Sequence, residues 1–202
     1  MNESMASEKA QRTKVALIEA ANAIILEEGI DNLTLDHVAE RAGLSKGALT
    51  YHFSSKRALH AALIAHYVEH MNEEMEKYTS LFEGDDADRL VAGYVEWFKA
   101  FDRNNRGWAT VGVTLISSFV HDKELMAPVT AWYEALYQRI ECLPAEKQVP
   151  TLLAVMTMEG FFYAHKFGVD FVSPKLKKAL WPYLLEKVSA VDVKRKEQKV
   201  DY

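Results

Sequence analysis

Between Arg41 and Val68 the chain carries four basic side chains, Arg41, Lys46, Lys56 and Arg57, and no acidic one. A local stretch of this kind can answer phosphate oxygens, although the same groups can equally serve as solvated surface charges. Further on, His66, Glu69 and His70 spell H-x-x-E-H, which on a helix sets two imidazoles one turn apart and can mark a zinc peptidase. Glu159 interrupts the apolar stripe of Leu152, Val155 and Phe162. A carboxylate on such a face is costly unless paired, so it calls for a cationic or hydroxylated effector, for His165 or a lysine, or for a wet subunit boundary. Cys142 is the only cysteine, which excludes an intrachain disulfide, a redox pair and a multi-cysteine zinc site and fits a reducing cytoplasm. No nucleophile and base stand out elsewhere.

The elements that must position these residues read as helices. The 202 residues suffice for one large domain or a small one joined to a medium one, and 9 glycines and 5 prolines leave room for long helices. A net charge of −5 argues against coating nucleic acid by bulk attraction but not against a local patch. No secretory signal is visible in the charged first fourteen residues, and the longest run without charge or histidine, Gly107 to Val120, is too short to span a bilayer. A soluble, cytoplasmic protein is expected.

Helical spacing of Val15, Ile18, Ala21 and Ile25 predicts a first helix over Ser7 to Glu28, stopped by Gly29. Thr34 can cap a second from Leu35 to Ala42, Gly43 supplies a turn, and Ser45 can cap a third through His52. A fourth, capped by Ser54 or Ser55, carries Ile64, Tyr67, Met71, Met75 and Tyr78 to near Ser80. Five more are expected. They hold Leu90 to Phe101; Gly107 to Val120; Val129 to Ile140 with Pro128 in or near the first turn; Leu152 to Phe167 after a break bracketed by Pro144 and Pro150; and Leu176 to Val188 after Ser173 and Pro174. Pro182 should kink the last, and residues 191–202 should fray. The fold class is therefore all-α, about nine helices: an N-terminal three-helix helix-turn-helix domain over 7–55, then a helical bundle over 56–190.

The short helix, glycine turn and short helix from Thr34 to His52 are how a helix-turn-helix presents its second helix to a major groove. The stretch LTLDHVAERAGLSKGALTYHFSSKRAL, Leu33 to Leu59, resembles the DNA-binding signature of the TetR family of transcriptional regulators. The resemblance rests on the VAERAG run, the GLSKG turn and the aromatic, histidine, phenylalanine end followed by SK. It implies that Thr34, Tyr51, His52 and Lys56 meet phosphates and fix register, while Lys46, Ala48 and Thr50 read bases and Gly47 allows close backbone approach. Leu44, Leu49 and Phe53 should pack the small domain. Ala48 stands where the family frequently has threonine, and Thr50 where it frequently has tyrosine.

In the larger domain the aromatic residues read first as core. The resemblance implies in addition an effector pocket, for which Tyr67, Trp97, Phe101, Trp108, Trp132 and Tyr133 are the ligand-binding candidates, and a homodimer contact on the last two helices through Leu180, Leu184 and Val188. The expected function is that of a dimeric DNA-binding transcriptional regulator. It would be a repressor released from a palindromic double-stranded DNA operator by a small hydrophobic or aromatic effector, with no cofactor, metal, catalytic residue or membrane partner. The alternative is a helical metalloprotein or hydrolase using His66, Glu69 and His70.

Overall fold

The computed structural model describes residues 2–104 and 106–188. Among them there are nine α-helices and no strand: α1 (Asn2–Glu28), α2 (Leu35–Arg41), α3 (Lys46–His52), α4 (Lys56–Thr79), α5 (Asp86–Asn104), α6 (Arg106–Phe119), α7 (Lys123–Glu141), α8 (Ala145–Lys166) and α9 (Pro174–Val188), with a 3₁₀ turn at Ile30–Asn32. No helix among the described residues is long and apolar enough to cross a membrane. The tail expected over 191–202 and the end of the larger domain beyond 188 lie outside the described residues.

Local chemistry explains most helix ends. Thr34 Oγ1 accepts from the backbone N–H of His37 at 3.2 Å, and Ser45 Oγ from that of Ala48 at 3.1 Å, so α2 and α3 are capped as expected. Ser55, not Ser54, caps α4 through Ala58 N–H, and Ser173 caps α9 through Leu176 N–H. Gly43, at φ +66, closes α2: its N–H bonds Glu40 O while Leu44 N–H reaches back to Ala39 O, and Gly168 ends α8 in the same way.

Three expectations are corrected. α7 starts at Lys123, with Asp122 accepting from Leu125 N–H at 3.1 Å, so Pro128 lies in its second turn. α8 starts directly after Pro144, so Pro150 sits inside it and does not bracket a break. Leu152 of the supposed inner stripe is exposed, as are Met156 and Phe167, whereas Val155 and Phe162 are buried.

The chain divides into two compact units, residues 1–68 with 110–129 and residues 69–109 with 130–202. The first packs α1 on both α2 and α3, and α2 on α3, around Leu17, Ile24, Leu33, Val38, Leu49, Phe53 and Leu59, all nearly inaccessible. The second packs α5 on α8 and α9, and α8 on α9, around Leu90, Tyr94, Phe98, Val155 and Met158. Gly93 lets α5 approach the end of α4: a Cβ there would lie 2.7 Å from Thr79 Cα and 2.8 Å from its backbone N. In an open helix, glycine to alanine gains about 1 kcal/mol. Here backbone cannot yield as a side chain would, so Gly93→Ala is expected to destabilise by about 1–3 kcal/mol. A melting temperature at or above wild type would contradict that packing.

Candidate functional site

The first unit assembles its polar surface around α3. Leu49 and Phe53, at 0% and 2% exposure, anchor the helix inward, and Leu44 is half-buried. With those positions committed, helical geometry turns Lys46, Gly47, Thr50 and Tyr51 outward, and all four are exposed, Tyr51 by 80%. Ala48 and His52 are half-buried, the His52 ring lying edge-on to Tyr51 with centroids 5.0 Å apart. Thr34 and Lys56 are exposed at the starts of α2 and α4. α4 has no acidic residue in its first turn, so its positive dipole end and Lys56 act together on an anion.

The basic stretch is not uniformly available. Arg41 pairs with Glu27 and, at 3.3 Å, with Glu28. Arg57 bonds Asp122 at 2.5 and 3.2 Å and Glu124 at 2.6 Å, within the same unit. Those bonds raise the guanidinium's affinity for its proton and hold the Asp122 carboxyl down at about 2. Lys46 Nζ lies 2.7 Å from Asp36 of α2, a partner that the sequence pattern did not reveal. Thr50 spends its hydroxyl on the carbonyls of Lys46 and Gly47, at 3.0 and 3.2 Å. Gly47 has room for a side chain within the protein, the nearest atom to an added Cβ being Ser45 Oγ at 3.8 Å.

Of the six aromatic ligand candidates, Tyr67 belongs to the first unit and the other five to the second. Trp97 and Phe101 of α5 are buried against Phe162 of α8, with ring centroids 4.9 and 5.0 Å away. Trp132 is buried edge-on to Tyr133. Trp108 is half-buried and stacks on His70, centroids 4.0 Å apart. Tyr67 is buried in the first unit beside Gly112, where an added Cβ would come within 2.5 Å of its hydroxyl. Tyr133 lines a groove on α7 of about 520 Å³, together with Thr130, Glu134, Tyr137, Gln138 and Glu141.

Glu159 is buried, and the hydrogen bonds it accepts come from phenols. Tyr94 donates to Oε1 at 3.2 Å and Tyr133 to Oε2 at 2.8 Å, and the Tyr133 hydroxyl also lies 3.2 Å from that of Tyr163. Desolvation raises the carboxyl above its ordinary range, while the Tyr133 bond, the more distant Lys166 charge and the Tyr94 bond pull it back. Burial of the Tyr133 phenol, and then the neighbouring carboxylate, push it well up, so it stays protonated and donating. The H-x-x-E-H residues sit on α4, His70 engaged with Trp108, and among the described residues no group of three or more His, Cys, Asp or Glu side chains could hold a metal.

Comparison with known proteins agrees with this layout. The family model of bacterial regulatory proteins, tetR family, matches residues 17–63, and that of the tetracyclin repressor-like C-terminal domain matches residues 88–189. The regulator TtgR of Pseudomonas putida is 40% identical over 57 residues, 28% of this chain and 27% of TtgR, so the chain spans about a quarter of that relative's length. A TetR-family member of Streptomyces coelicolor, SCO1917, superposes with a TM-score of 0.65 at 17% identity, covering 85% of this chain and 97% of that one. The multidrug binding protein EbrR, solved with imidazole, gives 0.62 at 17% identity over 88% and 95%. With a capped helix-turn-helix in the N-terminal match and a C-terminal match over half its length, the chain belongs to the TetR family of bacterial regulatory proteins.

Proposed function

We propose that the protein is a cytoplasmic homodimeric repressor, released from a palindromic operator by a small hydrophobic or aromatic effector. The observation that carries this reading is the division of α3 into a buried side, Leu49 with Phe53 just beyond, and an exposed side of Lys46, Gly47, Thr50 and Tyr51. Residues 7–55 read DNA; residues 56–190 bind the effector and the second subunit. Lys46 exchanges Asp36 for guanine acceptors. Thr50, its hydroxyl already bonded, offers its methyl to thymine, as does Ala48. Thr34, Tyr51, His52 and Lys56 hold phosphates. Gly47 needs no bare backbone for the protein's own packing, which supports close approach to a base pair.

A seven-residue recognition helix reads few bases, so two copies in successive major grooves, about 34–36 Å apart, are required for selectivity. Support for a dimer comes from α8 and α9. Val149, Leu152, Leu153 and Met156 recur at helical spacing and are all exposed, as are Leu176 and Tyr183 of α9. A monomer rarely leaves such a stripe in water. Of the residues first expected there, Leu184 is buried within the subunit beside α5 and α8, Leu180 is half-buried, and the Val188 side chain lies outside the described residues. The effector acts through α4, and the aromatic residues proposed to meet it remain Trp97, Phe101, Trp108, Trp132, Tyr133 and Tyr67. Arg57, in the first turn of α4 and tied to Asp122 and Glu124, carries the movement to Lys56. A coupling of about 1–3 kcal/mol, roughly 5- to 150-fold, suffices for release.

The test is selection from random duplexes at two salt concentrations. Lys46→Ala is expected to cost about 1–3 kcal/mol at one base position of each half-site and to relax the preference there. Lys56→Ala should weaken all sites alike and reduce the salt slope by about 2 for the two copies. No enriched palindrome, or identical selection profiles for wild type and Lys46→Ala, would refute the reading.

A further inference from the structure

Glu159 is 8% exposed and none of its hydrogen-bond partners is a cation. Burying a carboxylate is costly, and two phenols return only part of what water supplied. The neighbouring cations are otherwise engaged. Arg139 of α7 is held by Asp86 at 2.6 and 2.7 Å, and Lys166 lies over the Tyr163 ring and acts on the carboxylate only through space. A fold that needed only to pack would place an apolar residue here.

The way in is through Tyr133. The phenol whose hydroxyl bonds Glu159 is also the wall of the α7 groove, and Tyr137 stands beside it with ring planes 22° apart and centroids 6.3 Å apart. Two further carboxylates, Glu134 and Glu141, line the groove and no basic side chain does. Aromatic faces and carboxylates together suit a positively charged organic group, which gains from the ring quadrupoles and from the negative potential behind them. The groove lies open along one face of α7, so an aromatic or branched cation can rest on the two phenol rings. Other occupants fit less well. An anion meets three carboxylates, a neutral molecule gains nothing from their charge, and a divalent metal lacks its shell of ligands among the described residues.

We propose that Tyr133, Tyr137, Glu134 and Glu141, with Glu159 behind Tyr133, form a binding site for a monovalent organic cation, quaternary or aromatic, and that such cations are the effector class. The effector role rests on the regulator function proposed above; the binding site does not.

The probes are tetraphenylphosphonium and tetraphenylborate, ions of the same shape and opposite charge, followed by equilibrium dialysis and by quenching of the intrinsic tryptophan fluorescence. Tetraphenylphosphonium never titrates, so charge discrimination belongs to the protein. It is expected to bind at least about tenfold tighter than tetraphenylborate and to lose about tenfold in Glu159→Gln, which keeps the shape and removes the charge. The exposed pair Glu134→Gln with Glu141→Gln, which leaves the core untouched, should weaken it severalfold, more at low salt than at high. That pair decides the matter if Glu159→Gln fails to fold. Equal binding of the two ions, or unchanged phosphonium binding in the variants, overturns the site whether or not the protein selects an operator. Phosphonium bound at saturation with operator affinity unchanged overturns the effector role. An absence of operator selection would instead strike the regulator function while the dialysis result stands.

Discussion

Phe98→Ala is expected to lower stability by about 3–5 kcal/mol, among the largest losses a single core truncation produces. Phe98 is 1% exposed, and its ring meets Phe162 edge-on at 5.2 Å, Phe161 at 5.5 Å and Trp181 at 5.8 Å, with Phe101 at 6.4 Å. Its ring thus touches both α8 and α9 from α5. Aromatic neighbours fixed by their own packing cannot collapse into the space, so the cavity cost adds to the lost transfer energy. Against a total of about 5–15 kcal/mol for a typical domain, this should lower the melting temperature by roughly 6–20 °C. The readout is a calorimetric scan of wild type, Phe98→Leu and Phe98→Ala, with Phe98→Leu intermediate. A drop of less than about 2 °C for the alanine variant would mean that α5 is not held through this ring.

How much of this could be read from the sequence depended on how local the determining physics is. The caps at Thr34, Ser45 and Ser173 and the stops at Gly29, Gly43 and Gly168 are decided within five residues, and each was legible. The prolines were not. Pro128 and Pro150 read as helix starts or breaks, yet each sits in the second turn of a helix whose start is set upstream, by Asp122 and by Pro144. There a proline forfeits one early backbone bond and leaves the rest of the helix intact. The stretch Asn2 to Ala6 carries no apolar stripe and gave no sign that α1 extends so far. On α8 the difficulty was different: Leu152 and Val155 are equally apolar, and only tertiary packing shows that one is exposed and the other inaccessible.

The site divides along the same line. Lys46, Thr50, Tyr51 and Lys56 were placed by a contiguous signature whose helix phase follows from the spacing of Leu49 and Phe53. Asp36, ten residues before Lys46, and the anchoring of Arg57 by residues 65 and 67 positions away could not be read from that signature. Glu159 was conspicuous as a charge in an apolar stripe, but its partners Tyr94 and Tyr133 lie 65 and 26 residues away on two other helices. Sequence showed only a charge set among apolar residues; the fold shows that two phenol hydroxyls bond it while the Lys166 charge acts from beyond hydrogen-bond reach.

The second large effect belongs to the recognition helix itself. Leu49→Ala is expected to cost about 2–5 kcal/mol and to abolish selective duplex binding together with the cooperative melting of the first unit. α3 has seven residues, far below the roughly 12–15 at which an isolated helix becomes even marginal in water, so its conformation depends on what it buries. What it buries is Leu49, at 0% exposure, with Phe53 at its end. Its remaining local support is Ser45, which the substitution leaves in place. Losing the anchor therefore removes the reason for Lys46, Thr50 and Tyr51 to share one exposed face, and DNA recognition falls with the fold of the unit. Lys46→Ala should behave oppositely, altering base preference while melting as wild type does, since an exposed pair with Asp36 contributes at most about 1 kcal/mol. Circular dichroism melts and duplex binding measured on both variants separate the two. Leu49→Ala retaining wild-type melting and selective binding would show that α3 is held by something other than its buried side.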